Sequence, residues 1–180
     1  MLKVMSYNVL GFKGFSAQAS DQSMTGKQIF DTHLEQLYLL QPDVLIFQEA
    51  PRQQIVRHLA SALGWNYRYF VSDTRWPGAL LTRFKILSSE THQFTEHREL
   101  FSRFWSRTIL LTQARKSLVI HAAHLHDENT EVRKDELHCL AESVTRDMDQ
   151  YNDLLLLGDL NHRPDLDDYQ ILNATDLHDL

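Results

Sequence analysis

The sequence contains little cysteine and no long apolar run. Its 180 residues include one cysteine, Cys139, which excludes an intramolecular disulfide and argues against a cysteine-rich zinc site. The longest aliphatic run, at 154–157, is far shorter than the roughly 20 residues that a membrane-spanning helix needs. The N-terminal residues alternate between apolar and polar side chains as in a strand, and they lack the apolar stretch of a secretory signal. We therefore expect a cytoplasmic protein with no membrane span.

An excess of basic residues is also lacking. The chain has 18 lysines and arginines against 24 aspartates and glutamates, which gives a formal net charge of −6. Because binding along a nucleic acid backbone depends mainly on released counterions, this balance argues against a partner of that kind. It leaves open the binding of a short nucleic acid end or of a small phosphodiester.

Helical and strand periodicities alternate along what we interpret as a single domain spanning residues 1–180. The pattern predicts strands at 2–8, 43–48, 65–71, 78–82, 85–95, 103–113, 117–125 and 153–157. It predicts helices at 28–40, 52–63, 129–149 and 166–172. Buried strands between helices, on both sides of a long antiparallel stretch, indicate two stacked sheets with helices on their outer faces, an α/β sandwich. A loop at 12–27 directly follows the first strand, where functional residues often lie.

Polar residues stand at the C-terminal ends of four apolar strands, at 6–8, 48–49, 124–126 and 158–161. In layered α/β folds, the C-terminal ends of the strands line the functional site. Asparagine, glutamate and aspartate supply hard oxygen ligands, which Mg²⁺ or Mn²⁺ binds while keeping several waters. A cation held in this way can also bind a substrate phosphate, so this residue inventory suits phosphoryl chemistry.

Each of these polar residues has an expected role. We expect Glu49 to be the principal metal ligand, with Asn8 beside it. Asp159 would orient or deprotonate the attacking water, and Asn161 would donate hydrogen bonds to the phosphate oxygens.

Five motifs occur in the order SYNVLG (6–11), FQE (47–49), GALLTRFKI (78–86), AHL (123–125) and GDLNHRP (158–164). This order resembles the endonuclease/exonuclease/phosphatase superfamily, which includes deoxyribonuclease-like enzymes, sphingomyelinases and inositol-polyphosphate phosphatases. Each motif alone is weakly specific, whereas five at the right order and spacing are a strong signal. The resemblance extends from residue 2 to the end of the sequence.

The resemblance implies a four-layered α/β sandwich of two mainly antiparallel sheets packed face to face. It implies Mg²⁺, with Mn²⁺ as a substitute, at Glu49, and a phosphate-binding cluster that includes Asn8, His124, Asp159 and Asn161. The implied activity is nuclease- or phosphatase-type hydrolysis of a phosphodiester or phosphomonoester by in-line attack of water. A nucleic acid end, a nucleotide or a small phosphodiester would be the substrate.

Three further residues are candidates for substrate binding, namely Arg83, Arg107 and His126. Arg83 stands where relatives carry a serine-arginine pair at a strand end, here Thr82-Arg83. The usual role at that place is structural as much as catalytic.

The sequence departs from the family pattern at two places. Leu160 stands where relatives carry phenylalanine, a buried apolar exchange of low cost. Relatives continue past this strand to a Ser-Asp-His motif that the sequence does not contain, so we expect missing C-terminal strands and weak or absent turnover. The alternative function is a truncated, catalytically impaired family member that retains only metal or phosphate binding.

Other functional explanations are less favoured for several residues. His121, His124 and His126 could suggest zinc, but His121 points away from the other two in a strand, and no third ligand stands at metal spacing. Trp76 lies beside a turn, where an aromatic residue indicates packing more often than a substrate cleft. Arg133 is expected on a solvated helix face.

Overall fold

The computed structural model describes residues 1–12, 25–91, 101–163 and 167–178. The strands are β1 (Val4–Asn8), β2 (Val44–Gln48), β3 (Asn66–Phe70), β4 (Gly78–Thr82), β5 (Lys85–Thr91), β6 (Phe104–Leu111), β7 (Ser117–His124) and β8 (Leu154–Asp159). The helices are α1 (Gly26–Leu40), α2 (Gln53–Leu63), α3 (Thr130–Met148) and α4 (Tyr169–Asn173), with a short 3-10 turn at Leu10–Phe12. None of the helices described is long and apolar enough to cross a bilayer.

The strands form two four-stranded sheets, with the orders β1-β2-β4-β3 and β5-β6-β7-β8. Each sheet contains one parallel pair, β1 with β2 and β7 with β8, and the other pairs are antiparallel. Asn8 lies opposite Gln48 at the end of the first parallel pair, and His124 lies opposite Asp159 at the end of the second. Both parallel pairs therefore end in polar residues.

Three apolar clusters separate four layers. Helices α1 and α2 pack on one face of the first sheet, where Leu37 and Leu59 meet Phe47. The second cluster lies between the sheets and includes Ile46 and Ile120. The third joins the second sheet to α3 and α4, and its members are Phe101, Trp105, Ala123, Leu125, Leu137, Cys139, Leu140, Val144 and Leu172.

This architecture confirms the predicted α/β sandwich, with two mixed sheets. The first helix begins at Gly26, two residues earlier than predicted, because the Thr25 hydroxyl accepts a hydrogen bond from the backbone N–H of Gln28. Most of the loop predicted at 12–27, the end of the strand predicted at 85–95 and the start of the helix predicted at 166–172 lie outside the described residues.

Arg133 is not on a solvated helix face, so that interpretation was wrong. Its side chain is buried, and its Nε donates to Asp168 Oδ2 at 2.6 Å. Its Nη1 donates to the carbonyl oxygens of His126 and Asp127 at 3.2 and 3.1 Å. Arg133 therefore ties α3 to the segment before α4 and to the loop after β7.

Candidate active site

Three strand ends, from both sheets, bring polar side chains together. Asn8 ends β1, Glu49 directly follows β2, and Asp159 ends β8. The Asn8 amide Nδ2 donates to Glu49 Oε1 at 3.1 Å and to Asp159 Oδ2 at 3.2 Å. One amide group thus bridges two carboxylates that come from different sheets.

The backbone turns sharply where each strand ends. Glu49 has φ of 50° and Asn161 has φ of 52°, a left-handed conformation that residues other than glycine seldom adopt. The backbone N–H of Gly11 donates to the Glu49 carbonyl oxygen at 2.7 Å, and that of Leu10 donates to Asn8 Oδ1 at 3.2 Å. Such conformations cost free energy and cluster at functional sites.

A glycine is required where β8 reaches the site. Gly158 has φ of 150°, and a Cβ placed on it would lie 1.9 Å from the carbonyl oxygen of Ala123. No side chain fits in that space, so β7 and β8 can approach closely only with glycine here. The close approach places Asp159 beside His124.

Asn161 lies next to Asp159 and is held by two hydrogen bonds. Its backbone N–H donates to Asp159 Oδ1 at 3.2 Å, and its amide Nδ2 donates to the Leu125 carbonyl oxygen at 2.8 Å. The structure therefore brings Asn161 to the site, with its amide group bonded to the end of β7.

His124 is fully buried beside Asp159, with 3.8 Å between Nε2 and Asp159 Oδ2. Burial and the positive charge of Arg103 lower the His124 pKa to about 4, so the ring is neutral at pH 7. Arg103 Nη1 contacts Nε2 of this ring. Because a guanidinium can only donate hydrogen bonds, Nε2 is the acceptor and the ring proton lies on Nδ1.

Arg103 is a site residue that the sequence reasoning missed. It is 8% exposed, contacts His124, and its Nη2 lies 2.7 Å from Asp127 Oδ2. Its Cζ also lies 5.6 Å from the centroid of the Trp76 ring. The available signal was an arginine within the aromatic run FSRFW at 101–105, where a buried charge needs a partner.

Three predicted substrate-binding residues are not brought to this cluster. Arg83 lies just after β4, at the opposite end of this strand from Gly78. Its Cζ lies 5.4 Å from the Trp65 ring centroid. Arg107 donates to both carboxylate oxygens of Asp147, at 2.6 and 2.7 Å. Their side chains serve packing and an ion pair here, so substrate binding by either arginine stays a prediction.

His126 lies in the loop between β7 and α3. Its Nδ1 accepts hydrogen bonds from the backbone N–H groups of Glu128 and Asn129, at 3.2 and 3.1 Å. Its own backbone N–H donates to Glu136 Oε2 at 2.7 Å. His126 therefore organises the start of α3, and its role in substrate binding stays a prediction.

Comparison with known proteins decides the family. The model of the endonuclease/exonuclease/phosphatase family matches residues 5–179. The chain belongs to this family. The match confirms the resemblance drawn from the five sequence motifs. No curated protein sequence matches the chain.

Solved structures of the endonuclease/exonuclease/phosphatase family share the fold. A family protein from Bacteroides thetaiotaomicron matches with a TM-score of 0.74 and 15% identity, over 96% of this chain and 68% of that one. The human Nocturnin catalytic domain with a bound sulfate anion matches with a TM-score of 0.71 and 20% identity, over 94% and 68%. ANGEL2, a 2′,3′-cyclic phosphatase, matches with a TM-score of 0.73 and 19% identity, over 91% of this chain and 54% of that one. The chain thus spans between 54% and 68% of the length of these structures.

The oxygen atoms of the cluster formed by Asn8, Glu49 and Asp159 suit a hard divalent cation. Glu49 Oε2 is buried and has no hydrogen-bond partner among the residues described. A buried carboxylate oxygen without a donor is costly unless a cation or water satisfies it. Within the same residues, no group of three or more histidine, cysteine, aspartate or glutamate side chains could share a metal ion. Mg²⁺ needs only one or two protein carboxylates, because it keeps several of its waters.

Proposed function

We propose that the chain is a metal-dependent phosphoesterase that hydrolyses a phosphodiester or phosphomonoester by in-line attack of water, without a covalent enzyme intermediate. The observation that carries the proposal is the bridge from Asn8 to Glu49 and Asp159, together with the buried, unsatisfied Glu49 Oε2. Family membership supports it, as do neighbours described as a phosphatase and as a domain with bound sulfate.

Glu49 would hold Mg²⁺, or Mn²⁺ in its place, through the oxygen that lacks a donor. When bound, the ion would neutralise charge on the phosphate oxygens of the substrate. Asn8 would hold the Glu49 carboxylate in position, because its Nδ2 donates to Oε1. Asn8 as a direct ligand stays a prediction, since its Oδ1 already accepts from the backbone N–H of Leu10.

Asp159 would orient the attacking water and accept its proton. Its side chain is 35% exposed, so water can reach it, while Asn8 and the Asn161 backbone N–H fix its orientation. A carboxylate held from two sides presents its remaining lone pairs in a defined direction, which favours in-line attack.

Arg103 would supply donors for the negative charge that develops on the phosphate. Arg103 carries a permanent charge at a nearly buried position, where electrostatic interactions are stronger than in water. Neutral His124 holds this guanidinium by accepting its hydrogen bond at Nε2. Contact of His124 and Asn161 with phosphate stays a prediction, because both side chains have protein partners here.

The substrate class we propose is a nucleic acid end, a nucleotide or a small phosphodiester. A net charge of −6 disfavours tracking along a long nucleic acid, whereas the nearly buried guanidinium of Arg103 beside the site suits a single phosphate group.

Hydrolysis of bis-p-nitrophenyl phosphate, with and without Mg²⁺ or Mn²⁺, tests this proposal. We expect metal-dependent turnover that falls by about 100-fold or more in Glu49→Gln and in Asp159→Asn. Asp153→Asn is the matched control, because Asp153 is an exposed aspartate at the opposite end of β8. This control should keep the activity of the unaltered chain.

Two outcomes would count against the proposal. Turnover that persists in both site variants would place the chemistry elsewhere. Absence of turnover in the unaltered chain, with metal binding retained, would favour the alternative of a family member that binds metal or phosphate without hydrolysis.

A further inference from the structure

Trp76 lies at the rim of the candidate site because its chain neighbours are anchored there. The carbonyl oxygen of Pro77 accepts a hydrogen bond of 2.8 Å from the backbone N–H of Ala50, the residue after Glu49. The next residue packs on the second sheet, because a Cβ on Gly78 would lie 2.2 Å from the ring of Phe104, the residue after Arg103. These two contacts place the residues that follow Trp76 beside the residues that follow Glu49 and Arg103.

Two guanidinium groups lie near the half-buried Trp76 ring. The Cζ atoms of Arg75 and Arg103 are 5.1 and 5.6 Å from its centroid, which is within the range of a cation–π interaction. Arg103 also contacts His124, so a continuous line of side chains joins Trp76 to Asp159. Arg75 is exposed, and among the described residues it makes no ion pair with a carboxylate.

A flat ring with cations nearby, beside a proposed phosphate site, matches the two chemical parts of a nucleotide. A base can stack on an indole ring or a guanidinium plane, while the phosphate group needs positive charge and hydrogen-bond donors. A sugar phosphate without a base offers nothing to stack. We propose that Trp76 and Arg75 form a base-binding subsite, and that the substrate is a nucleotide unit, free or at the end of a strand. This inference rests on the proposed function and names its substrate class.

The test compares the dissociation constants of AMP and of ribose 5-phosphate by isothermal titration calorimetry with Mg²⁺. Asp159→Asn serves as the background, so that the ligands stay intact, which phosphorus NMR checks. The two ligands share the sugar and phosphate, and their affinity ratio therefore isolates the base. We expect AMP to bind about tenfold more tightly, as stacking of a base on an aromatic side chain provides.

Three further variants in this background locate the base. Trp76→Ala should reduce the ratio to nearly one, Trp76→Phe should keep most of it, and Arg75→Gln should reduce it partly while leaving the fold intact. The matched control is Trp65→Ala, because Trp65 makes a similar contact with Arg83 at the far end of the sheet. Trp65→Ala should leave the ratio unchanged.

Equal binding of the two ligands, or a ratio that survives both Trp76→Ala and Arg75→Gln, would overturn the subsite. Hydrolysis plays no part in the titration, so the subsite can stand where the phosphoesterase proposal fails, and the reverse. The trinucleotide pApApA distinguishes the source of the nucleotide. Tighter binding than AMP supports a strand end, and equal binding supports a free nucleotide.

Discussion

His124 carries a pKa of about 4 chiefly because its ring is removed from water, and the charge of Arg103 adds to this effect. In the unfolded chain the ring would titrate near its ordinary pKa of 6.5. Between these values, the unfolded state binds a proton that the folded state does not bind. The free energy of unfolding therefore falls as pH falls from 6.5 towards 4.

We predict that His124→Gln weakens this pH dependence. Through this residue, the free energy of unfolding of the unaltered chain should fall by up to roughly 3 kcal/mol between pH 6.5 and 4. The variant should not show this loss. Asp147, with a pKa lowered to about 2, loses its contribution mainly below about pH 3.8 and so adds little to the loss at pH 4.5. Urea denaturation at pH 7 and at pH 4.5 measures the effect, with the exposed His58→Gln as control. Equal losses in the unaltered chain and in His124→Gln would contradict this account.

Also at the residue scale, the sequence motifs identified the strand-end residues that meet at the site. They did not identify the arginine that lies beside those residues. Asn8, Glu49, His124, Asp159 and Asn161 stand at strand ends, and the motif order places those ends together. Which arginine reaches the site depends on where β4 and β6 begin and end. Local sequence around the candidate arginines does not contain that information.

At the scale of secondary structure elements, α3 is held by a buried ion pair. The side chains of Arg133 and Asp168 are 4% and 0% exposed, with 2.6 Å between Nε and Oδ2. Because Arg133 also donates to the carbonyl oxygens of His126 and Asp127, the pair fixes the loop that carries the Arg103 partner Asp127. Helix periodicity did not predict the burial of Arg133, because its partner Asp168 lies 35 residues away in the sequence.

We predict that replacing one partner of this ion pair lowers the free energy of unfolding more than replacing both partners. Arg133→Met and Asp168→Leu should each lower the free energy of unfolding by about 3–5 kcal/mol, because each leaves a charge buried without its partner. The double variant should be more stable than the sum of the two losses implies. A double-mutant cycle from urea denaturation measures the coupling. Additive losses would show that the pair does not couple the two segments.

For the whole molecule, the site exists because two sheets dock with their polar strand ends adjacent. Glu49 comes from the sheet that packs against α1 and α2, whereas Asp159 comes from the sheet that packs against α3 and α4. Strand and helix periodicities predicted this sandwich because each element buries a regular apolar face. They did not predict the bridge by Asn8, which depends on backbone turns at Glu49 and after Gly158 that no periodicity encodes.

The measurement that tests the account most directly is Mn²⁺ binding, followed by electron paramagnetic resonance of the unbound ion. The account predicts one Mn²⁺ per chain, displaced by Mg²⁺, with affinity lowered by at least about tenfold in Glu49→Gln, whose amide is a neutral and weaker ligand. The control Glu35→Gln, at an exposed glutamate of α1, should bind like the unaltered chain. Binding in Glu49→Gln that equals that of the unaltered chain, or no binding at all, would contradict the proposed metal site.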